Sequence, residues 1–476
     1  MRVLVTGATG YIGGRLGPLL RREGHEVVCF ARAAERLRGR FDDAVELREG
    51  DIHDYASVER ALEGCEAAYY LIHSMASTRA FAQADRDAAR NFGEAAKRAG
   101  VKRIIYLGGL GSASDDLSKH LRSRHEVGDV LRASGVPTIE FRAAMIIGSG
   151  SISFEMMRYL TERLPVMIAP KWVTTLCQPI GIRDVLSYLT AALTLSAQDS
   201  RTYEIGGADR LTYRDMMLRY AAIRGLKRRL IVVPFFTARL SSYWVHLVTP
   251  IPAKLAQPLI LGLHNEVVVR DPSARRDFPS ISPIGFDAAV QLALDRYRSV
   301  EVQTTWFDAF GRRTLPSDFT GVVDGMLIDM RVRTTSASPE RVARVFTSLG
   351  GKRGWLVANG LWRLRGWLDR LAGGVGLRRG RRSPNELRVG DAVDFWRVEA
   401  YEPNHLLRLR AEMKLPGRAW LQFEAEPDGS GSRLRQTAFF EPQGLLGHLY
   451  WYAVALFHEW VFAQMASRIV REAQAP

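Results

Sequence analysis

The chain has 476 residues, a length that at roughly 150 residues per domain allows about three structural units. Hydrophobic residues are 47% and charged residues 25% of the total, a globular composition that excludes a disordered or collagen-like chain. Lys plus Arg number 66 against 51 for Asp plus Glu, a formal charge of +15 that admits an anionic partner. The excess is almost all arginine and forms no long basic tract, so no nucleic-acid partner is expected.

Cys29, Cys65 and Cys177 stand far apart with no CxxC or nearby histidine pair, which argues against disulfides and zinc and for a reducing, cytoplasmic setting. The apolar stretch at the N-terminus is too short for a signal-peptide core. No 18-residue window is apolar throughout. Leu240 to Ala253 and Pro442 to His458 come nearest and are the candidates for peripheral membrane contact.

From Met1 to about Gly150, short β-branched runs alternate with helix-length segments, which predicts βαβ units on a doubly wound parallel sheet of the Rossmann type. The predicted strands are Arg2 to Val5, Glu26 to Phe30, Ala67 to Leu71, Arg103 to Leu107 and Thr138 to Phe141, with a helix over Lys119 to Ser134. The stretch from 151 to about 300 reads as a substrate-side lobe of the same domain, so that the first domain spans 1–310. It holds a helix after Asp184, a short strand at Thr202 to Ile205 and a helix capped by Thr212 with Asp215 three residues on.

A linker is expected over Gly311 to Asp324, and a second domain over 325–473. That domain begins with a strand at Met326 to Thr334 and a helix opened by Ser338-Pro339. A helix through Trp355 to Leu371 follows, then strands at Val393 to Ala400, Leu406 to Met413, Trp420 to Ala425 and Leu434 to Phe440. A helix over Leu445 to Glu472 closes the chain. This order describes an α+β fold in which a curved sheet grips a terminal helix.

Directly after the first strand stands Gly7-Ala8-Thr9-Gly10-Tyr11-Ile12-Gly13, a G-x-x-G-x-x-G pattern opening a helix. Bare backbone is needed there to approach a pyrophosphate at the positive end of a helix dipole. The second strand ends without the acid that holds an NAD ribose. Arg32 occupies the place, with Arg36 one turn on, which favours NADP(H) over NAD.

These residues resemble an atypical short-chain dehydrogenase/reductase of the NmrA-like group over roughly residues 1 to 300. The resemblance rests on Gly7, Gly10 and Gly13, on Arg32, on Gly50-Asp51-Ile52, on Tyr70-Leu71-Ile72-His73 and on Leu131-Arg132-Ala133-Ser134-Gly135. It implies that Asp51 and Ile52 lie beside the adenine, and that Leu71, Ile72 and His73 border the nicotinamide ribose. Residues 325 to 473 resemble the helix-grip fold of polyketide-cyclase and START-like domains through Val389-Gly390-Asp391 and Asp394-Phe395-Trp396-Arg397-Val398. That likeness implies a cavity for a lipid-like or aromatic ligand.

Most reductases of the resembled family carry a serine and a Tyr-x-x-x-Lys pair, in which lysine one helical turn on lowers the tyrosine pKa. Aligning the helix on Leu131 to Gly135 puts His120 at the Tyr position and Arg124 at the Lys position. A two-residue shift puts Ser118 and Arg122 there instead. Leu107-Gly108-Gly109 fills the place of the serine, with Ser112 and Ser114 soon after. Arg378, Arg379, Arg381 and Arg382, with Arg363 and Arg365 upstream, read as a solvated basic loop, and the aromatic residues of the last helix as core. The expected activity is an NADP(H)-dependent oxidoreductase acting on a small apolar substrate, or, without a Tyr-Lys pair, a dinucleotide-binding sensor or assembly factor.

Overall fold

A computed structural model describes residues 1–32, 37, 45–72, 79–112, 117–196, 199–233, 245, 249, 253–298, 318–323, 326–351, 353–371, 374, 376, 381 and 386–475. The chain divides into two compact units, Met1–Gly311 and Arg312–Pro476.

In the first unit, strands β1 (Arg2–Thr6), β2 (Glu26–Ala31), β3 (Glu46–Glu49), β4 (Ala67–Tyr70), β5 (Arg103–Gly109) and β6 (Thr138–Ala143) are joined by β7 (Arg201–Ile205). Their order in the sheet is β7-β6-β5-β4-β1-β2-β3, and all pairings are parallel. Both faces are covered, so the strands read as continuous apolar runs instead of alternating ones. Val3 and Val5 pack on one face with Leu16 and Leu20 of helix α1 (Gly13–Arg22). Leu4 packs on the other with α2 (Tyr55–Leu62), α3 (Arg79–Arg98) and α4 (Lys119–Ala133). The chain leaves the sheet at the β3 edge and re-enters beside β1, so the strand order reverses between β1 and β4. The crevice beyond their carboxyl ends is where such sheets bind ligands.

A further core cluster lies in the lobe built by α5 (Ile152–Arg163), α7 (Tyr213–Ile223), α8 (Ala253–Gly262) and α9 (Phe286–Arg298). The predicted cap at Thr212 is present in full, its hydroxyl accepting from the Asp215 amide while the Asp215 carboxylate accepts from the Thr212 amide. The helix expected after Asp184 starts earlier, as α6 (Ile182–Ala191). Asp184 is buried in its first turn and accepts from the Ile284 amide, a tertiary bond in place of a cap.

The second unit is a seven-stranded antiparallel sheet. Its strands are β8 (Asp318–Val323), β9 (Met326–Thr335), β10 (Ala392–Val393), β11 (Trp396–Glu402), β12 (Leu406–Ala411), β13 (Gly417–Asp428) and β14 (Gly431–Pro442), in the order β8-β9-β14-β13-β12-β11-β10. The stretch expected as a linker therefore contains strand β8, which pairs with β9 from Asp318↔Arg331 to Val323↔Met326. The sequence Asp-Gly at 324–325 is favoured in hairpins as well as in linkers. The single strand expected over Val393 to Ala400 is broken at Asp394, which takes φ +55°. Its buried carboxylate accepts from the Gly351 amide and the Trp355 indole. Helix α10 (Pro339–Thr347) precedes α11 (Asn359–Leu371), which begins four residues after the expected Trp355 because Leu356 and Ala358 adopt positive φ. The terminal helix α12 (Gly444–Gln474) lies along β9 and β14, its Met465, Ala466 and Ile469 fully buried with Leu421, Phe423 and Leu434. Among the described residues no helix is long and apolar enough to cross a membrane.

Candidate functional site

At the end of β1 the chain turns through Gly7, whose φ of +66° suits glycine. A side chain at Gly7 would meet the Leu71 carbonyl at 2.6 Å, and one at Gly13 would meet the Gly7 carbonyl at 2.4 Å. At Gly10 an added carbon would meet only the Gly7 oxygen, at 3.1 Å. Two glycines thus let strand, turn and helix close on each other, while Gly10 keeps the outer surface of the turn bare. Helix α1 starts from this turn, the Gly14 amide donating to the Gly10 carbonyl and the Leu16 amide to the Ile12 carbonyl, so the positive end of its dipole borders the surface. Thr6 fixes the opposite wall: its hydroxyl donates to the Tyr69 carbonyl and accepts from the Leu71 amide, joining the ends of β1 and β4. Arg15, buried in α1, donates to the Ser149 carbonyl and lies 4.4 Å from the centre of the Tyr11 ring, tying the turn to the segment before α5.

A cleft of about 350 Å³ opens here. Gly7, Gly10, Tyr11, Ile12, Gly13, Leu71 and Ile72 line one end. Gly108, Gly109, His120, Leu121 and Arg124 line the middle, and Met156, Met157, Leu160, Trp172, Tyr213, Met217, Ile260 and Leu263 the far end. Thr9 is half-buried in the turn and does not line the cleft. Arg32 is exposed, one residue past β2, and the register Ala31↔Glu49 sets it beside Gly50-Asp51. Asp51 is exposed and accepts from the His53 amide, a turn bond leading into α2. Ile52 is buried in the core with Val58 and Phe30. His73, Arg36 and Ser114 lie outside the described residues.

Helix α4 distinguishes the two registers considered for the missing Tyr-Lys pair. Ser118 is its N-cap, accepting from the Leu121 amide, and Arg122 is exposed, so that pair is structural and solvated. His120 and Arg124 share the cleft face. His125 is buried on the other side, against the Gly109 carbonyl. The four basic residues therefore do not face solvent or phosphate together. Burial, and then the Arg124 charge, push the His120 imidazole down to about 3, so it is neutral at physiological pH and holds no ionised proton to give. Arg124 donates to the Leu107 carbonyl, and its buried Nε has no hydrogen-bond partner among the described residues. A serine at the end of β5 would have to displace a neighbour: a side chain at Gly108 would meet the Glu140 carboxylate at 2.9 Å, and one at Gly109 would meet the end of the Leu121 side chain at 2.7 Å.

The far end of the cleft was not anticipated residue by residue. Tyr213, the first residue after the Thr212 cap, is buried there against Trp172, and burial raises its phenol well above the usual value. The paired methionines Met156-Met157 on a helix of the lobe were the available signal. In the second unit Arg381 is not part of a solvated loop; it donates to the carbonyls of Thr347 and Leu349. Arg378, Arg379 and Arg382 lie outside the described residues. All three cysteines are buried thiols, and no cluster of metal-ligating side chains occurs among the described residues.

Residues 7–145 match a family model described as NAD(P)H-binding. Residues 324–465 match one described as a protein of unknown function (DUF2867). A (4-alkanoyl-5-oxo-2,5-dihydrofuran-3-yl)methyl phosphate reductase of Streptomyces griseus is 28% identical over 230 residues, which are 47% of this chain and 74% of that protein. Sterol demethylase protein B of Methylococcus capsulatus is 32% identical over 120 residues, 24% of this chain and only 35% of that protein. Among solved structures, triphenylmethane reductase of Citrobacter sp. superposes with a TM-score of 0.51 at 18% identity, covering 62% of this chain and all of that one. Its complex with NADP(H) gives 0.50 at 19% identity, covering 61% and 99%. These structural likenesses are likenesses of fold. The first unit is an NAD(P)H-binding domain of Rossmann-like α/β architecture with reductase relatives, joined in one chain to an antiparallel-sheet unit.

Proposed function

We propose that the first unit is an NADP(H)-dependent reductase for a small apolar molecule. One observation carries this reading: the glycine turn and the methionine- and aromatic-lined chamber are two ends of a single cleft. The residues present fit the cofactor, since the turn is bare at Gly10 and backed by a helix N-terminus. Gly7, Gly10, Tyr11, Ile12 and Gly13 would hold the pyrophosphate, Arg32 a 2′-phosphate, Asp51 and Ile52 the adenine side, and Leu71 and Ile72 the ribose nearer the chamber. Bound there, the cofactor supplies a hydride. Arg124, whose side chain lines the cleft, stabilises by its charge negative charge arriving on the substrate. His120, neutral, contributes at most a hydrogen bond. The apolar far end excludes water and selects the substrate by burial. The relatives named as reductases support the reaction class. For the second unit we propose a helix-grip module that holds an apolar ligand, supported by the sheet and the long helix packed along it.

The lack of a Tyr-Lys pair favours a second reading, a dinucleotide-binding sensor or assembly factor without turnover. Titration with NADPH and NADH tests the cofactor assignment. The wild type is expected to prefer NADPH, and Arg32→Ala to weaken NADPH about tenfold while leaving NADH unchanged. A wild type that prefers NADH would remove Arg32 from the site.

A further inference from the structure

We propose that the second unit docks on the surface of anionic lipid bilayers through an apolar face shared by α11 and the first half of α12. Leu361, Leu364, Trp367, Leu368 and Leu371 are all exposed, Trp367 to 55% and Leu371 to 68%. At 100° per residue they fall within an arc of about 120° on α11. The opposite side of α11 is the anchored one: Trp362 packs on Trp355 and Phe395, and Asp369 is buried. On α12, Leu445, Leu446, Leu449, Tyr452, Phe457 and Trp460 form a second exposed stripe, with Leu446 exposed to 72% and Tyr452 to 60%. Trp451, facing inward, stacks on Phe440. Monomeric proteins rarely leave so much contiguous apolar surface in water without a binding role.

The two stripes are neighbours. The Lys414 amide donates to the Asp369 carboxylate of α11, Arg365 of α11 donates to the Lys414 carbonyl, and the Gln443 amide at the start of α12 donates to the Pro416 carbonyl. The same short loop therefore anchors both helices, and the Arg365 guanidinium lies 5.9 Å from the centre of the Tyr450 ring.

Charge selects the occupant. The acid of α11, Asp369, is buried and spent on the amides of Gly376 and Lys414. Pro442 to His458 contains no Asp, Glu, Lys or Arg. The exposed charges beside the α11 stripe, Arg363 and Lys414, are positive, and the exposed acid at the edge of the α12 stripe, Glu459, lies 3.8 Å from the Arg331 guanidinium. Leucine and tryptophan flanked by cations on a helix that is too polar to span is the pattern of an element lying in the plane of the headgroups. No described helix can cross the bilayer, which fits contact with one leaflet.

The test is sedimentation of the full-length chain with vesicles of phosphatidylcholine alone and of phosphatidylcholine mixed with phosphatidylglycerol. Binding to the mixed vesicles is expected at low salt, at least about tenfold weaker on phosphatidylcholine alone and in high salt. The exposed triple substitution Leu364→Ser/Trp367→Ser/Leu371→Ser, and separately Leu446→Ser/Leu449→Ser, are each expected to weaken binding about tenfold or more with unchanged melting temperature and NADPH affinity. Arg363→Gln is expected to weaken it about fivefold. Absence of binding to the mixed vesicles would overturn the proposal, as would binding that survives both sets of substitutions. So would a solution dimer that both sets dissociate, because the face would then belong to a second copy of the chain.

Discussion

Gly13 and Gly10 belong to one motif and do different work. The carbon added by Gly13→Ala lands 2.4 Å from the Gly7 carbonyl, backbone that cannot step aside, whereas at Gly10 the nearest atom is at 3.1 Å. Gly13→Ala is therefore expected to destabilise the first unit by about 1–3 kcal/mol in denaturant unfolding. Gly10→Ala is expected to fold normally and to lose dinucleotide affinity; equal stability of the two variants would refute the division of labour. His120 couples folding to pH. Its imidazole is neutral in both states above about pH 6.5, and between 6.5 and its folded value of about 3 the unfolded chain alone binds the proton. Stability therefore falls as pH drops through that window. His120→Gln should reduce the loss between pH 6.5 and 4.5 by about 1–2 kcal/mol, and identical acid profiles would contradict a depressed pKa. The glycine motif was legible in the sequence because its chemistry is local. The empty place of the serine at Gly108 and Gly109 was visible too, but not its cause, the Glu140 carboxylate and the Leu121 side chain behind the strand.

Helix α4 shows what phase does at the scale of an element. His120 and Arg124 are one turn apart and reach the cleft, while Ser118 caps, Arg122 meets solvent and His125 meets β5. The sequence alone left two registers open; packing chose between them through Gly128. A side chain there would lie 2.4 Å from the buried Glu140 carboxylate, which bonds Arg132 and Arg142. Gly128→Ala is expected to push α4 off β6, costing about 1–3 kcal/mol and weakening any activity that depends on Arg124. A variant with full stability would mean that the helix sits elsewhere. Six of the seven parallel strands were legible as short apolar runs between helix-length segments, whereas β3 (Glu46–Glu49), an edge strand with charged ends and no buried residue, gave no such signal. Strand β8 was missed because Asp318 to Val323 is short and ends in a dipeptide shared by hairpins and linkers. The break at Asp394 was missed because a positive φ at a non-glycine is held by tertiary bonds to Gly351 and Trp355.

At the scale of the whole molecule, two compact units share one chain, each with its own core. Part of the arginine excess is internal: Arg15, Arg158 and Arg331 are buried, and Arg381 braces the loop before α11. The remainder includes Arg32 beside the dinucleotide crevice and Arg363 beside the exposed stripe of α11. The fold of the first unit and the place of its cofactor followed from pattern and motif. The apolar chamber did not, because its residues are gathered from α5, α7, α8 and the short 3-10 helix Lys171–Thr174, which no local spacing relates. In the proposed reaction a substrate in that chamber receives a hydride from the crevice. Turnover of apolar carbonyl and conjugated compounds with NADPH deuterated at the transferring carbon, read by mass spectrometry of the product, measures this directly. One deuterium per product molecule, lost in Gly10→Ala, is the predicted result. Tight NADPH binding with no deuterium in any compound tried would contradict it and leave the non-catalytic reading in its place.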